Sequence, residues 1–363
     1  MHVAVVYGTR PEIIKLIPLI LEIKEHRDLK LSIVNTGQHK EMVHELEQLF
    51  GIVPDYSLDI MRHDQTLTDI MKNVAITVEP VLKELRPDIV ILQGDTSTVA
   101  TVGTICFYNK IPVGHVEAGL RSYNLEEPFP EEFNRRVISI MARLNFAPTA
   151  QSADNLLREG IPAEKIFVTG NTVVDMVRLA RQRITQHSNG TERKILVTAH
   201  RRENHGEGID NIIAAIKEVS RLYPDLVFTW PVHPNPNVKQ TVYQQLQGMK
   251  NIRLTDPMGY MDLIKEIDTS FLVWSDSGGI QEECPSFKKP LLILRNITER
   301  PEVVTSGFGE LIGTDTDRIV RRTVELLSDN ESYRKMTSGK NPFGDGTASR
   351  QIVDILRDYY KQL

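Results

Sequence analysis

Three carboxylates in this sequence stand where proton chemistry could be done. Asp95 follows the apolar run Asp88–Leu92, Glu117 follows Pro112–Val116, and Glu131 opens a helical pattern after a loop holding Pro128 and Pro130. Acids brought to one crevice can remove a proton and return it. Taken singly, each has a plainer use: Asp95 as a cap, Glu117 as the partner of Arg121, Glu131 as a complement to a helix dipole. A fourth candidate, His200, ends the strand pattern Lys194–Thr198 and sits beside Arg201 and Arg202. An imidazole with guanidinium neighbours suits a diphosphate, as donor or as acid. Arg10, Lys15 and Arg201 are the cations expected on phosphate, and each could equally lie in a solvated salt bridge.

The stretch FLVWSDSGGIQEEC, Phe271–Cys284, reads as a buried strand, a Gly-rich turn and the start of a helix. Adjacent Gly278 and Gly279 would let backbone N–H groups approach an anion, and Ser277 would add a hydroxyl. Glu282 and Glu283 would then fall in the first helical turn, within reach of a ribose. An ordinary N-capped helix with acidic residues fits the same letters. The loops GxxxxGK[ST], GxGxxG and GxSxG are absent, so kinase, nicotinamide and serine-hydrolase chemistry have no motif behind them. His200 and His205 are five apart and HExxH is missing, which speaks against a metal. No cofactor is expected.

The elements that must position these residues alternate along the chain. Strand patterns at Val3–Tyr7, Leu31–Asn35, Asp88–Leu92, Pro112–Val116, Leu144–Ala147 and Lys165–Val168 are separated by helical spacing such as Ile13, Ile14, Ile17, Ile20 and Leu21. Pro18 should kink or interrupt that first helix. The alternation resumes at Lys194–Thr198, Leu226–Pro231, Ile252–Leu254, Phe271–Trp274 and Leu291–Leu294, after a helix expected over Val173–Gln186, and a last helix covers Gln351–Tyr359. Polar or Gly-rich turns follow the strands, and in parallel sheets ligands bind at those carboxyl ends. The sequence therefore predicts an α/β protein of two doubly wound, Rossmann-like domains with a cleft between them. The first is expected over 1–168, rejoined by 347–363, and the second over 169–346.

A chain of 363 residues, 40% hydrophobic and 25% charged, can bury two cores of this kind. Its net charge of -5 argues against a nucleic-acid partner. No signal-peptide or membrane-spanning pattern is evident, and two distant cysteines, Cys106 and Cys284, fit a reducing compartment. A cytoplasmic protein without membrane partners is the expectation.

Several motifs in order carry a resemblance. GTRPE (Gly8–Glu12), QGDT (Gln93–Thr96), HVEAGLRS (His115–Ser122), PEE followed by Asn134 and Arg135, GNTVVD (Gly170–Asp175), HRREN (His200–Asn204), SDSGGIQEE (Ser275–Glu283) and TERPE (Thr298–Glu302) run nearly end to end. Together they resemble the non-hydrolysing UDP-N-acetylglucosamine 2-epimerases. The resemblance implies a GT-B fold whose final helix packs back on the first domain, a homodimer, and a UDP-sugar substrate. It implies reversible conversion of UDP-N-acetylglucosamine to UDP-N-acetylmannosamine for surface polysaccharide synthesis. By motif, Asp95, Glu117, Glu131 and His200 match the family's catalytic positions, and Arg10, Ser277, Gly278 and Glu283 its UDP contacts. Expulsion of UDP with loss of the C2 proton would give a 2-acetamidoglucal, to which UDP re-adds. A hydrolysing 2-epimerase, an epimerase of another UDP-2-acetamido sugar, a GT-B glycosyltransferase and a non-catalytic sugar-nucleotide binder share parts of this pattern.

Overall fold

The computed structural model describes every residue except His39, His63, 185–192 and Leu363. The expected end of a helix at Gln186, His39 in the polar turn Thr36-Gly37-Gln38-His39 expected after the strand pattern Leu31–Asn35, and the last residue of the returning segment therefore lie outside the described residues. The chain divides into two compact units, Met1–Arg178 with Phe343–Leu363, and Leu179–Pro342.

The first unit is a seven-stranded sheet built from β1 (His2–Tyr7), β2 (Lys30–Asn35), β3 (Tyr56–Ser57), β4 (Ile89–Gln93), β5 (Val113–Val116), β6 (Leu144–Ala147) and β7 (Ile166–Val168). Their order is β3-β2-β1-β4-β5-β6-β7, and every pairing is parallel. Continuous runs such as Ile89–Gln93 are buried along their length, as strands covered by helices on both faces must be. The second unit has six parallel strands: β8 (Lys194–Thr198), β9 (Val227–Pro231), β10 (Ile252–Thr255), β11 (Leu272–Ser275), β12 (Leu291–Ile293) and β13 (Gly309–Leu311). Their order, β10-β9-β8-β11-β12-β13, repeats that of the first six strands of the first unit. In its core Phe228 meets the edge of Trp274 at 5.5 Å between ring centroids. Both sheets are Rossmann-like, with a switch point between β1 and β4 in one and between β8 and β11 in the other, where ligands of such sheets bind.

Two expectations change. The helix Arg10–Lys24 runs unbroken through Pro18, flanked by buried Ile17 and Leu19. Burial on every side of this helix offsets the hydrogen bond that proline cannot make. The contacts divide the chain inside the helix Thr172–Arg183 and just before Phe343, rather than at 168/169 and 346/347. The reason is a set of bonds around the crossover: Asn171 N donates to Phe343 O at 2.8 Å, and Asp175 accepts from Ser349 N at 2.9 Å and Ala348 N at 3.2 Å. Strands β3 and β13 and the helix Leu67–Leu85 had no counterpart among the expected elements. The two strands are too short to show a period.

The helix Ala348–Lys361 packs on Arg10–Lys24 within the first unit. Its own N-cap residue, Thr347, makes no capping hydrogen bond, so Asp175 supplies the acceptor from a distant part of the chain. Burial raises the Asp175 carboxyl above its ordinary range. Replacing it with alanine should cost about 1–2 kcal/mol, as loss of a cap does. Hydrogen exchange read by mass spectrometry should then show amides of Ala348–Lys361 exchanging roughly 5- to 30-fold faster, with β8 to β13 unchanged.

Candidate active site

In the first unit the chemistry gathers at the carboxyl ends of β1, β4 and β5. Glu12, wholly buried in the first turn after β1, accepts from Gly8 N at 2.6 Å and Thr9 N at 3.1 Å through one oxygen. Its other oxygen accepts from Thr96 Oγ1 at 2.6 Å, on the loop after β4. One carboxyl thus ties together the two loops of the switch point. Thr96, not Asp95, is the N-cap of the helix Ser97–Tyr108, so Asp95 is not spent as a cap. Its Oδ2 instead accepts from Arg135, at 2.5 Å from Nη2 and 3.0 Å from Nε, while Asn134 donates to its backbone carbonyl at 2.9 Å. His115 lies beneath, its Nε2 donating to Gly94 O at 2.8 Å; burial pushes that imidazole down to about 4 and keeps it neutral.

Glu117 sits in the left-handed region, at φ 68°, uncommon for a residue with a side chain. Its Oε2 accepts from Lys15 Nζ and, at 2.9 Å, from Asn171 Nδ2. The alternative partner, Arg121, is taken by Glu159 at 2.7 Å. The predicted phosphate ligand Lys15 is thus placed against a carboxylate. Glu131 begins the helix Glu131–Met141, and Glu132 beside it accepts from Ser122 N, Tyr123 N and Arg135, fixing the loop after β5. Gly119 on that loop has φ 93°, and a Cβ there would lie 2.1 Å from Ser152 O. Arg10, half-buried, opens the first helix.

The second unit repeats the device. Asp276, fully buried after β11, accepts through Oδ2 from His200 N at 2.9 Å, Arg201 N at 2.8 Å and Asn204 Nδ2 at 2.9 Å, all on the loop after β8. His200 is stacked on His233 with ring centroids 5.2 Å apart and planes 9° apart. Burial lowers its pKa, with Asp276 opposing and His233, Arg201 and His205 adding to the fall. Ser277 is the N-cap of the helix Gly278–Glu283, a single short turn whose free N–H groups, more than any macrodipole, could meet an anion.

The two glycines of that turn differ. A Cβ on Gly278 would lie 2.7 Å from the Arg300 guanidinium, so glycine there admits the arginine; exposed Gly279 leaves open space. Arg300 in turn donates to Glu282 at 2.6 Å, so Glu282 is drawn into the protein, away from the ribose role expected of it. Glu283 is buried at the last position of that helix, so neither it nor Glu282 falls in the first helical turn as expected: the helix begins at Gly278. A chain of charges, Glu203–Arg295–Glu299–Arg300–Glu282, links the loops after β8, β11 and β12. Burial would raise the Glu299 carboxyl, but Arg300 and Arg295 outweigh it and hold it down to about 2. No cluster of His, Cys, Asp and Glu suited to a metal occurs among the described residues.

A family model described as UDP-N-acetylglucosamine 2-epimerase matches residues 21–357. The chain belongs to this family. The UDP-N-acetylglucosamine 2-epimerase of Neisseria meningitidis serogroup A is 45% identical over 368 residues, 98% of this chain and 99% of that one. A crystal structure of the Neisseria meningitidis UDP-GlcNAc 2-epimerase bound to UDP-GlcNAc covers 99% of this chain and 100% of its own, at 43% identity and a TM-score of 0.94. That of Methanocaldococcus jannaschii, in complex with UDP-GlcNAc and UDP, covers 98% and 99% at 33% identity and a TM-score of 0.85. The fold of this family member is accordingly GT-B-like.

Asp95, Glu117 and Glu131 share the first unit, while His200, Arg201, Ser277, Gly278, Gly279 and Glu283 share the second. Sequence reasoning gave no role in the site to Glu12, Arg135, Asn171, Asp276 or His233, although all but His233 fall within the motifs that carry the resemblance. Glu12 carried a signal, standing three residues after Thr9 in capping-box spacing. The others pair across 33 to 76 positions of chain, and spacing holds no trace of that.

Glu12→Gln should loosen both loops at once. Loss of a buried acceptor costs about 1–3 kcal/mol at neutral pH. Burial raises the Glu12 carboxyl above its usual 4.5. Its contribution is therefore fully present below the unfolded pKa and diminishes as pH rises through the folded one, whereas glutamine does not titrate. Urea midpoints measured upward from about pH 4.5 should show the wild-type advantage narrowing; a gap that widens with pH would contradict this assignment.

Proposed function

We propose that the chain interconverts UDP-N-acetylglucosamine and UDP-N-acetylmannosamine without hydrolysing either, by eliminating UDP and adding it back. The observation that supports this reading is the set of carboxylates Asp95 and Glu117, just past β4 and β5, and Glu131, opening the next helix, in a chain related over nearly its whole length to UDP-N-acetylglucosamine 2-epimerases. The C2 proton of the sugar is barely acidic, so direct removal would be slow. In the elimination the C2–H and C1–O bonds break, a C1–C2 double bond forms, and UDP departs as the anion. Return of UDP with a proton delivered to the other face gives the epimer, which requires an acid and a base on opposite faces. Asp95, Glu117 and Glu131 are the groups assigned to this exchange. Lys15 and Asn171 hold Glu117, and Arg135 holds Asp95, which limits the rotamers each carboxylate can take. His200, Arg10 and Arg201 are assigned to the diphosphate, and Ser277, Gly278, Gly279 and Glu283 to the rest of UDP.

We further assign the protein to the cytoplasm, where nucleotide sugars for surface polysaccharides are made. Both cysteines are buried and unpaired, and no described helix is long and apolar enough to cross a membrane. Proton NMR of the enzyme with UDP-N-acetylglucosamine in D2O, with no metal added, should show UDP-N-acetylmannosamine carrying deuterium at C2. Asp95→Asn, Glu117→Gln and Glu131→Gln should each slow this by on the order of 10²–10⁴-fold. Free N-acetylmannosamine with UDP would instead place the chain on the hydrolysing branch.

A homodimer is the assembly we assign. Phe107, Phe133 and Ile140 are more than half exposed on the helices Ser97–Tyr108 and Glu131–Met141, which pack side by side, and an apolar surface of this kind suits a second copy. Light scattering after gel filtration should give twice the 41.2 kDa chain mass, and Ile140→Glu should reduce it to the monomer.

A further inference from the structure

The loop after β8 and the turn after β11 meet at Asp276, and the two oxygens of that carboxylate have different surroundings. Oδ2 accepts three N–H groups, from His200, Arg201 and Asn204. Oδ1 is as deeply buried and has no hydrogen-bond partner among the described residues. The nearest ring nitrogen is His200 Nδ1, at 3.5 Å, an ion-pair distance that a small ring rotation would close. A buried carboxylate oxygen left without a donor is costly. Its one evident purpose is to receive a proton carried on that nitrogen.

His200 is held on its flat side as well. The imidazole of His233, after β9, lies parallel to it, and His233 Nδ1 is itself engaged by Asn235 N at 3.2 Å. The His200 side chain remains 38% exposed, so the edge opposite Asp276 is open to a ligand.

We propose that Asp276 is a positioning residue for His200: Oδ1 takes the Nδ1–H, His233 supports the ring face, and Nε2 is thereby directed to the diphosphate. The inference rests on the assignment of His200 to UDP made above. With Nδ1–H committed to Asp276, Nε2 of the neutral ring is a lone pair, which an anionic phosphate cannot accept from. UDP binding therefore draws one proton from solvent onto Nε2, leaving an imidazolium between Asp276 and the phosphate. In the UDP-free protein the groups facing His200 are Asp276 from the β11 turn, His233 from the loop after β9, and Arg201 and His205 from its own loop. Burial and the last three disfavour the charged ring, and Asp276 alone favours it. An anion at Nε2 reverses that balance. Wild-type affinity for UDP should consequently fall as pH rises from the free to the bound pKa of His200.

Asp276→Asn separates this role from a purely structural one. An amide oxygen in the Oδ2 position still accepts from His200, Arg201 and Asn204, which alanine could not do. Its NH2 then faces Nδ1 and donates to it, forcing the Nε2–H tautomer, by the logic that makes an Asp-to-Asn change beside a catalytic histidine isosteric yet electronically wrong. Nitrogen-15 NMR of the UDP-free protein should show His200 as the Nδ1–H tautomer in the wild type and Nε2–H in Asp276→Asn. Calorimetry with UDP in buffers of different ionisation enthalpy should show uptake approaching one proton for the wild type near neutral pH. Asp276→Asn and His200→Asn should show only what the terminal phosphate of UDP contributes. A wild-type Nε2–H tautomer, or undiminished proton uptake in Asp276→Asn, would overturn the proposal. Failure of the wild type to bind UDP would count against the assignment of His200 to UDP, and the tautomer measurement would still decide the role of Asp276.

Discussion

Each sheet depends on one buried carboxyl bridging its topological switch point. In the first unit Glu12 binds the loop after β1 to the loop after β4; in the second Asp276 binds the loop after β8 to the turn after β11. The physical need is the same in both. At a switch point the two central strands send their chains to opposite sides, which opens a crevice and leaves loop N–H groups without sheet partners. A carboxylate is the side chain that can accept several such donors at once. Removing water from it is expensive, and the several bonds it receives offset that expense. The loops that carry Asp95 and His200 are consequently held by the sheet beneath them instead of by their own local turns.

Around these two anchors the charges are arranged in pairs and chains. Arg135 connects Asp95 to Glu132, Lys15 and Asn171 converge on Glu117, and Arg295 and Arg300 alternate with Glu203, Glu299 and Glu282. Buried ion pairs add little net stability, because desolvation absorbs most of the attraction. Their value here is geometric. A carboxylate gripped by two N–H groups of one guanidinium, or by an amine and an amide, keeps one orientation, and proton transfer is sensitive to errors of under an ångström. The depressed carboxyl of Glu299 reflects the same economy, since the arginines that bracket it keep it charged despite its burial.

Division of labour follows from this arrangement. Proton-handling candidates are concentrated in the first unit and anion-handling ones in the second, with Arg10 and Lys15 the exceptions. Lys15 illustrates how a partner can be unforeseen: the sequence suggests phosphate for this lysine, yet its ammonium lies on Glu117. There it fixes the carboxylate by a hydrogen bond. Gly278 makes a similar point, since its missing side chain makes room for Arg300, an arginine placed 22 residues further along the chain.

The sequence by itself determined the alternation of strands and helices, the two-unit architecture and the family, because these are written in local periodicity and in short motifs whose order survives along the chain. It also placed Asp95, Glu117 and His200 in the turns just past strands and Glu131 at the start of a helix, since a buried strand shows as an apolar run and its terminus as the polar residues that follow. Tertiary structure decided what each of those side chains touches. Pairings such as Arg135 with Asp95, Asn171 with Glu117, Asp175 with Ser349 and Asp276 with His200 join residues 40 to 174 positions apart. They exist because parallel strands bring remote loops to one edge, and no periodicity records which side chain will be waiting there. The unbroken helix through Pro18 has the same origin: local chemistry opposes it, and burial on all sides prevails.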